Sequence, residues 1–214
     1  MKIMKTIIEK IDKNQKNTDI IREAGRILKE GGLVAFPTET VYGLGADALN
    51  EDAAKKIYAA KGRPSDNPLI IHITNMKALD KIVSEVPEKA VKVAEKYWPG
   101  PLTMIFNKSD IVPYGTTGGL DTVAVRMPVD EIAREVIDAG GGYIAAPSAN
   151  TSGRPSPTTA QHVAEDLTGR VDMIVDGGAV EIGVESTILD VTVEPPMILR
   201  PGAITKEMFE EVIG

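Results

Sequence analysis

The sequence contains no cysteine, which excludes disulfides and thiolate metal sites. Histidine is almost as scarce. Only His72 and His162 occur, so a histidine-rich zinc site is excluded and Ser-His-Asp catalysis would have to use one of these two. No apolar run approaches the roughly 18 residues of a membrane span. The N-terminal stretch MKIMKTIIEKIDKNQ lacks the apolar h-region of a signal peptide, so the expected location is the cytoplasm, with no membrane partner. Positive charge is also short. A net charge of −7 argues against a surface coated in basic residues for nucleic acid and leaves room only for a local basic cleft.

Several motifs are missing too. There is no Walker A sequence and no Gly-x-Gly-x-x-Gly after a strand, so a bound phosphate would need another cradle. No pair of carboxylates stands out for general acid–base work; Glu39, Asp47 and Asp121 read as isolated acids beside polar loops. No internal repeat, low-complexity segment or interdomain linker is visible.

What is present is an ordinary globular composition, 43% hydrophobic and 26% charged over 214 residues, enough for one sizeable core. Strand and helix patterns mingle throughout, which predicts a single α/β domain over residues 1–214 built on a mixed sheet. Near the C-terminus strand patterns follow one another directly, so a regular doubly wound sheet is not expected. Residues 33–36, 69–73, 102–106, 122–127, 143–146, 173–175, 187–193 and 197–199 read as strands, with an edge strand near Thr6-Ile7-Ile8. Thr18, Asn50, Thr158 and Thr205 read as helix caps, and Pro87 as the first-turn residue of another helix. Gly43 and Gly45 predict a close backbone approach, and residues 107–121 a Gly/Thr-rich loop.

The chemistry-bearing residues gather on loops at the ends of apolar strands, where binding sites usually lie. Pro37-Thr38-Glu39-Thr40 follows one strand, and Lys61-Gly62-Arg63-Pro64-Ser65-Asp66-Asn67-Pro68 joins a helix to the next. Lys61 and Arg63 could supply a phosphate cradle as a point charge and a planar fork, or simply form a solvated C-terminal helix cap, where cations are favoured anyway. His72 in the strand LIIHI reads as a hydrogen-bonded structural residue or as a ligand. Arg126 shares a strand face with Thr122 and Ala124. On so apolar a strand it needs a buried acid or an anionic ligand. Ser148-Ala149-Asn150 suits turn formation as well as ligand contact. Glu185-Ser186-Thr187 and Arg200-Pro201-Gly202 again put polar groups at strand ends. The inventory is rich in cations, hydroxyls and amides and poor in nucleophiles and bases. It suits a site that positions anionic reactants and stabilises charge on phosphate.

The blocks FPTETVYGLGADA, KGRPSDNPLIIHI, WPGPLT, DTVAVRMP, APSANTSGRPSPT, ESTILD and LRPGAI, in series over about residues 20–205, resemble the YrdC-type threonylcarbamoyl-AMP synthases. The resemblance implies a YrdC-like twisted open sheet flanked by helices, with a positively charged concave face. It implies that L-threonine, bicarbonate and ATP give L-threonylcarbamoyl-AMP and pyrophosphate, for a partner transferase that modifies the adenosine beside the anticodon of tRNA. By motif, Thr40, His72, Arg126, Ser186 and the Ala146 backbone would hold threonine. Lys61 and Arg63 would face the ATP phosphates as the catalytic pair, and Asn67, Thr122, Ser148, Asn150, Ser156 and Arg200 would complete the nucleotide side. Mg2+ would be held mainly by the triphosphate, with no protein metal site, and tRNA contact would be weak. A longer branch of that family adds a linker and second domain, so the single-domain form or a truncated one is expected here. A branch lacking the Lys/Arg and Ser-x-Asn motifs is not matched. The competing readings are a carbamoyl-adenylate-forming domain, disfavoured by the absence of cysteine motifs, and an RNA-binding module without catalysis.

Overall fold

The computed structural model describes residues 5–12 and 17–214. The readings of the N-terminal stretch therefore fall partly outside the described residues. In order the elements are β1 (Ile7–Lys10), α1 (Thr18–Lys29), β2 (Val34–Phe36), β3 (Gly43–Asp47), α2 (Glu51–Lys61), β4 (Ile70–His72), α3 (Met76–Ile82), α4 (Glu88–Tyr97) and β5 (Leu102–Asn107). They continue with α5 (Tyr114–Thr117), β6 (Thr122–Arg126), α6 (Glu131–Ala139), β7 (Ile144–Ala145), α7 (Ala160–Leu167), β8 (Met173–Asp176), β9 (Thr187–Asp190), β10 (Met197–Arg200) and α8 (Lys206–Ile213).

The strands form one open sheet in the order β1-β8-β2-β3-β7-β4-β6-β5-β9-β10. It is mixed: β1, β8 and β2 run parallel, as do β4 with β6 and β5 with β9, while the other neighbours are antiparallel. The period of two along each strand sends alternate side chains to opposite faces. Val34, Phe36, Ile144, Met173 and Val175 enter one core with Leu28 and Val136 of α1 and α6. Ala35, Ala145, Ile174, Ile71, Val123 and Val125 enter the other, with residues of α2, α4, α7 and α8.

Gly45 is required by close approach: a Cβ there would stand 2.7 Å from the Phe36 ring and 2.9 Å from Ile144 Cγ2. Asn50 caps α2, accepting from Asp52 N at 3.0 Å and Ala53 N at 3.2 Å, and Gly62 closes the helix with φ +62°. Thr205 caps α8 through Met208 N at 3.4 Å.

Three expected helix starts move by one residue. Asn17 precedes α1, and its amide is spent on the Asp12 backbone. Pro87 is the cap of α4, not its first turn. Thr159, not Thr158, caps α7, accepting from His162 N at 3.3 Å. The loop at 107–121 contains the short helix α5, anchored where Thr116 Oγ1 donates to Ala48 O at 2.7 Å.

Candidate active site

The turn after β2 closes on itself. Thr38 Oγ1 donates to Val41 O at 2.7 Å and accepts from Thr40 N and Val41 N at 3.2 and 3.3 Å. A short hydroxyl side chain in this position substitutes for a backbone turn bond. It leaves the Glu39 and Thr40 side chains directed at Arg126 on β6. Arg126 Nη1 donates to Thr40 Oγ1 at 2.9 Å, and Nη2 to Glu39 Oε1 at 2.6 Å. Both charged side chains are 5% exposed. Of the two partners expected for a buried strand arginine, the acid is thus present. Glu39 is no isolated acid, as its place in sequence had implied; the fold brings it to a cation 87 residues away.

His72 lies beside Arg126 in the parallel register of β4 and β6. Its Nδ1 is 3.1 Å from Ile70 O. Burial, and then the nearby Arg126 charge, push its pKa down to about 3, so the ring is neutral.

Lys61 ends α2 yet is 2% exposed, which rules out the solvated cap. Its Nζ donates to Ser148 O, to Asn150 O at 2.6 Å and to Asn150 Oδ1 at 3.3 Å. Its three donors are therefore turned into the loop after β7, beneath the cavity wall, and do not face open space. Burial, followed by Arg63, pushes its pKa down to about 8. Arg63 sits on the other side of Gly62. It is held by its own loop, with Nε donating to Asn67 O at 3.3 Å and Nη2 to Pro68 O at 3.1 Å. Burial lowers its pKa.

At the far wall, Arg200 donates through Nη1 to Glu185 Oε2 at 2.5 Å, through Nε to Ser186 O at 3.0 Å and through Nη2 to Ser186 Oγ at 3.1 Å. Ser156 Oγ donates to Glu185 Oε1 at 2.9 Å, and Ser186 Oγ lies 2.8 Å from Thr103 Oγ1. Both oxygens of Glu185 are thus engaged.

These walls enclose a cavity of about 70 Å³ lined by Thr38, Thr40, Arg63, His72, Arg126, Ala146, Ser148, Glu185, Ser186 and Arg200 among others. That is small beside the roughly 300–1,000 Å³ of a pocket enclosing a whole ligand, so it suits the deep end of an open groove. Of the residues expected at the site, the structure brings Thr40, Arg63, His72, Arg126, Ala146, Ser148, Ser186 and Arg200 to this lining. Lys61 and Asn150 stand behind it, bonded to each other. Ser156 reaches it through Glu185. Asn67 is exposed and contributes its carbonyl to Arg63. Thr122 is at the opposite end of β6 from Arg126, paired with Asn107.

The sequence reading missed Glu39, Glu185 and Thr103 as members of this network. The signal for Glu39 was Arg126 itself, a strand cation that demanded an acid.

A second and larger cavity, about 1150 Å³, lies between α1, the start of α6 and residues 177–181, and shares Thr38 with the first. The smaller cavity is the better candidate for the chemistry. Three guanidinium groups converge there with buried hydroxyls, while cations and acids alternate around the larger one. Among the described residues no cluster of three or more histidines or acids is placed to hold a metal ion. No described helix is long and apolar enough to cross a membrane.

Comparison with known proteins places these residues in context. The family model for Sua5, YciO and YrdC, described as telomere recombination, matches residues 26–202. Threonylcarbamoyl-AMP synthase of Pyrococcus abyssi (strain GE5 / Orsay) is 58% identical over 194 residues, covering 91% of this chain and 57% of that protein. Threonylcarbamoyl-AMP synthase of Bacillus subtilis (strain 168) is 53% identical over 215 residues, covering 100% of this chain and 62% of that protein. The crystal structure of P. abyssi Sua5 complexed with L-threonine superimposes with a TM-score of 0.90 at 55% identity, covering 99% of this chain and 61% of that one. The chain thus spans about three-fifths of the length of these relatives.

Proposed function

The chain belongs to the Sua5/YciO/YrdC family, and from that premise we propose that it joins L-threonine, bicarbonate and ATP into L-threonylcarbamoyl-AMP with release of pyrophosphate. The observation that carries this reading is the convergence of Arg63, Arg126 and Arg200 on one small cavity lined by hydroxyls. Such a site binds anions from several directions and offers no covalent nucleophile. Adenylate formation asks for that: alignment of two anionic reactants and stabilisation of charge on the phosphate.

In this reading the amine of threonine is carboxylated to a carbamate. A carbamate oxygen attacks the α-phosphate in line, and pyrophosphate leaves. Arg126 takes the threonine carboxylate, with Thr40, His72, Ser186 and the Ala146 backbone around the rest of the amino acid. The neutral ring of His72 donates or accepts without adding charge beside Arg126. Arg63 and Arg200 face the phosphates as planar forks. Ser148, Asn150, Ser156, Asn67 and Thr122 extend the nucleotide side along the groove. Lys61 fixes the Ser148 to Asn150 backbone and so acts on the phosphates through that loop. Magnesium would enter as part of the substrate, Mg-ATP, held mainly by the triphosphate. The product would be consumed by a transferase acting on the adenosine beside the anticodon of tRNA.

Pyrophosphate release from Mg-ATP, with threonine and bicarbonate each omitted in turn, tests the reading. Release that needs both is expected. Release without threonine would mean another acceptor, and no release from a folded protein would favour a binding module.

A further inference from the structure

Two buried atoms at the site make no hydrogen bond among the described residues: Glu39 Oε2 and Arg126 Nε. They belong to one ion pair, whose closed contact is Arg126 Nη2 to Glu39 Oε1 at 2.6 Å. One partner keeps an unused acceptor and the other an unused donor. Buried polar groups in folded proteins are nearly always paired, so each such exception asks for an explanation. A carboxylate would satisfy Nε, and an ammonium would satisfy Oε2. An α-amino-acid zwitterion carries both on neighbouring atoms. Glu185, the acid that lines the small cavity, already accepts from Ser156 and Arg200 at its two oxygens.

Glu39 also stands in a partition. Arg126 lines the small cavity, while Glu39 lines the groove of about 1150 Å³ behind it, and Thr38 lines both.

We propose that Glu39 binds the ammonium of the amino-acid substrate and accepts its proton. The step balances as R–NH3+ plus the Glu39 carboxylate giving R–NH2 plus the Glu39 carboxylic acid. The lone pair released on nitrogen then forms the N–C bond to carbon dioxide as one C=O π bond opens onto oxygen, and the nitrogen's extra proton is the one that bicarbonate takes up as it loses water to give that carbon dioxide. This rests on the reading of the substrate as threonine and adds the group that activates its amine.

The test is calorimetric binding of L-threonine, and of the analogue with a hydroxyl in place of the α-ammonium, to the wild type and to Glu39→Gln. Threonine affinity should fall at least about tenfold in the variant, the scale of a lost charge-assisted bond, while the analogue binds both proteins alike. Turnover at saturating threonine should fall about a hundredfold, since the amide cannot take the proton. Glu39→Asp, which keeps the charge, is the second variant where Glu39→Gln melts early, and it should discriminate threonine from the analogue as the wild type does. Equal loss of both ligands in Glu39→Gln would overturn the proposal, because Glu39 would then merely hold Arg126. Unchanged threonine binding or turnover would overturn it too. In either case a wild type that still releases pyrophosphate with threonine leaves the broader reading standing, whereas a wild type that binds no threonine sinks both.

Discussion

The ammonium of Lys61 is bonded to the backbone carbonyls of Ser148 and Asn150, joining the end of α2 to the loop that follows β7. Lys61, expected at the phosphates, also braces the loop that follows β7. Lys61→Met should therefore leave two buried carbonyls unpaired and cost about 1–3 kcal/mol of stability. Thermal unfolding would check this, and a variant as stable as the wild type would show that the loop does not depend on the contact. Since burial brings the Lys61 pKa down to about 8, raising the pH through that value removes a proton and one of the bonds. Pyrophosphate release should then fall on an alkaline limb near pH 8, and Lys61→Met should lack that limb.

Arg63 offers the contrasting case. Among the described residues its side-chain bonds go to carbonyls of its own loop, Asn67 O and Pro68 O. Truncation to Ala should change stability by less than about 1 kcal/mol, the worth of ordinary intramolecular hydrogen bonds. ATP binding should weaken by at least about tenfold, the scale of one charge-assisted contact to phosphate. Parallel unfolding and nucleotide titrations separate the two effects. Unchanged ATP affinity would remove Arg63 from the phosphate side.

The contrast also marks what was legible in the sequence. Runs such as residues 69–73 announce buried strands because their apolar content leaves no other place for them, and Asn50 or Thr205 announce helix starts because the capping bond is local. Gly45 was legible as a close approach, though not that Phe36 and Ile144 are what approach it. The helix α5 was missed because one turn of four residues has no periodicity to read. The burial of Lys61 and the pairing of Glu39 were illegible for a different reason. A cation after a helix and an acid in a polar turn read as solvated wherever their surroundings come from distant parts of the chain. Lys61 is covered by residues 148–150, and Glu39 by Arg126 and by the segment whose Ile182 N donates to Glu39 O at 3.0 Å. Motif resemblance gathered loops that the fold brings to one cavity, but it could not say which polar side chains face the cavity and which stand behind it.

Arg126→Ala should damage folding as well as substrate binding. It strands the Glu39 carboxylate in the interior, and breaking one side of a buried pair costs about 3–5 kcal/mol. The double variant Glu39→Gln with Arg126→Ala removes both charges and should recover most of that stability, because what is expensive is the unpaired charge. Denaturant unfolding of the wild type, both single variants and the double variant closes the cycle. A double variant no more stable than Arg126→Ala would mean that packing, not charge, sets the cost.

His72 sets the behaviour of the fold in acid. Its ordinary pKa is 6.5, and in the folded protein burial and Arg126 push it down to about 3. Between those values the unfolded chain takes up a proton on this residue and the folded chain does not. Stability from this source is therefore complete above about pH 6.5 and is lost as the pH falls toward 3. The Arg126 charge disfavours a cationic ring, since His72 and Arg126 are direct partners in the register of β4 against β6. His72→Gln keeps a polar side chain there and has nothing to protonate. Melting temperatures at about pH 7 and about pH 4.5 should accordingly fall further for the wild type than for the variant, even if the variant starts lower. Equal falls would show that His72 is not the source of the acid sensitivity.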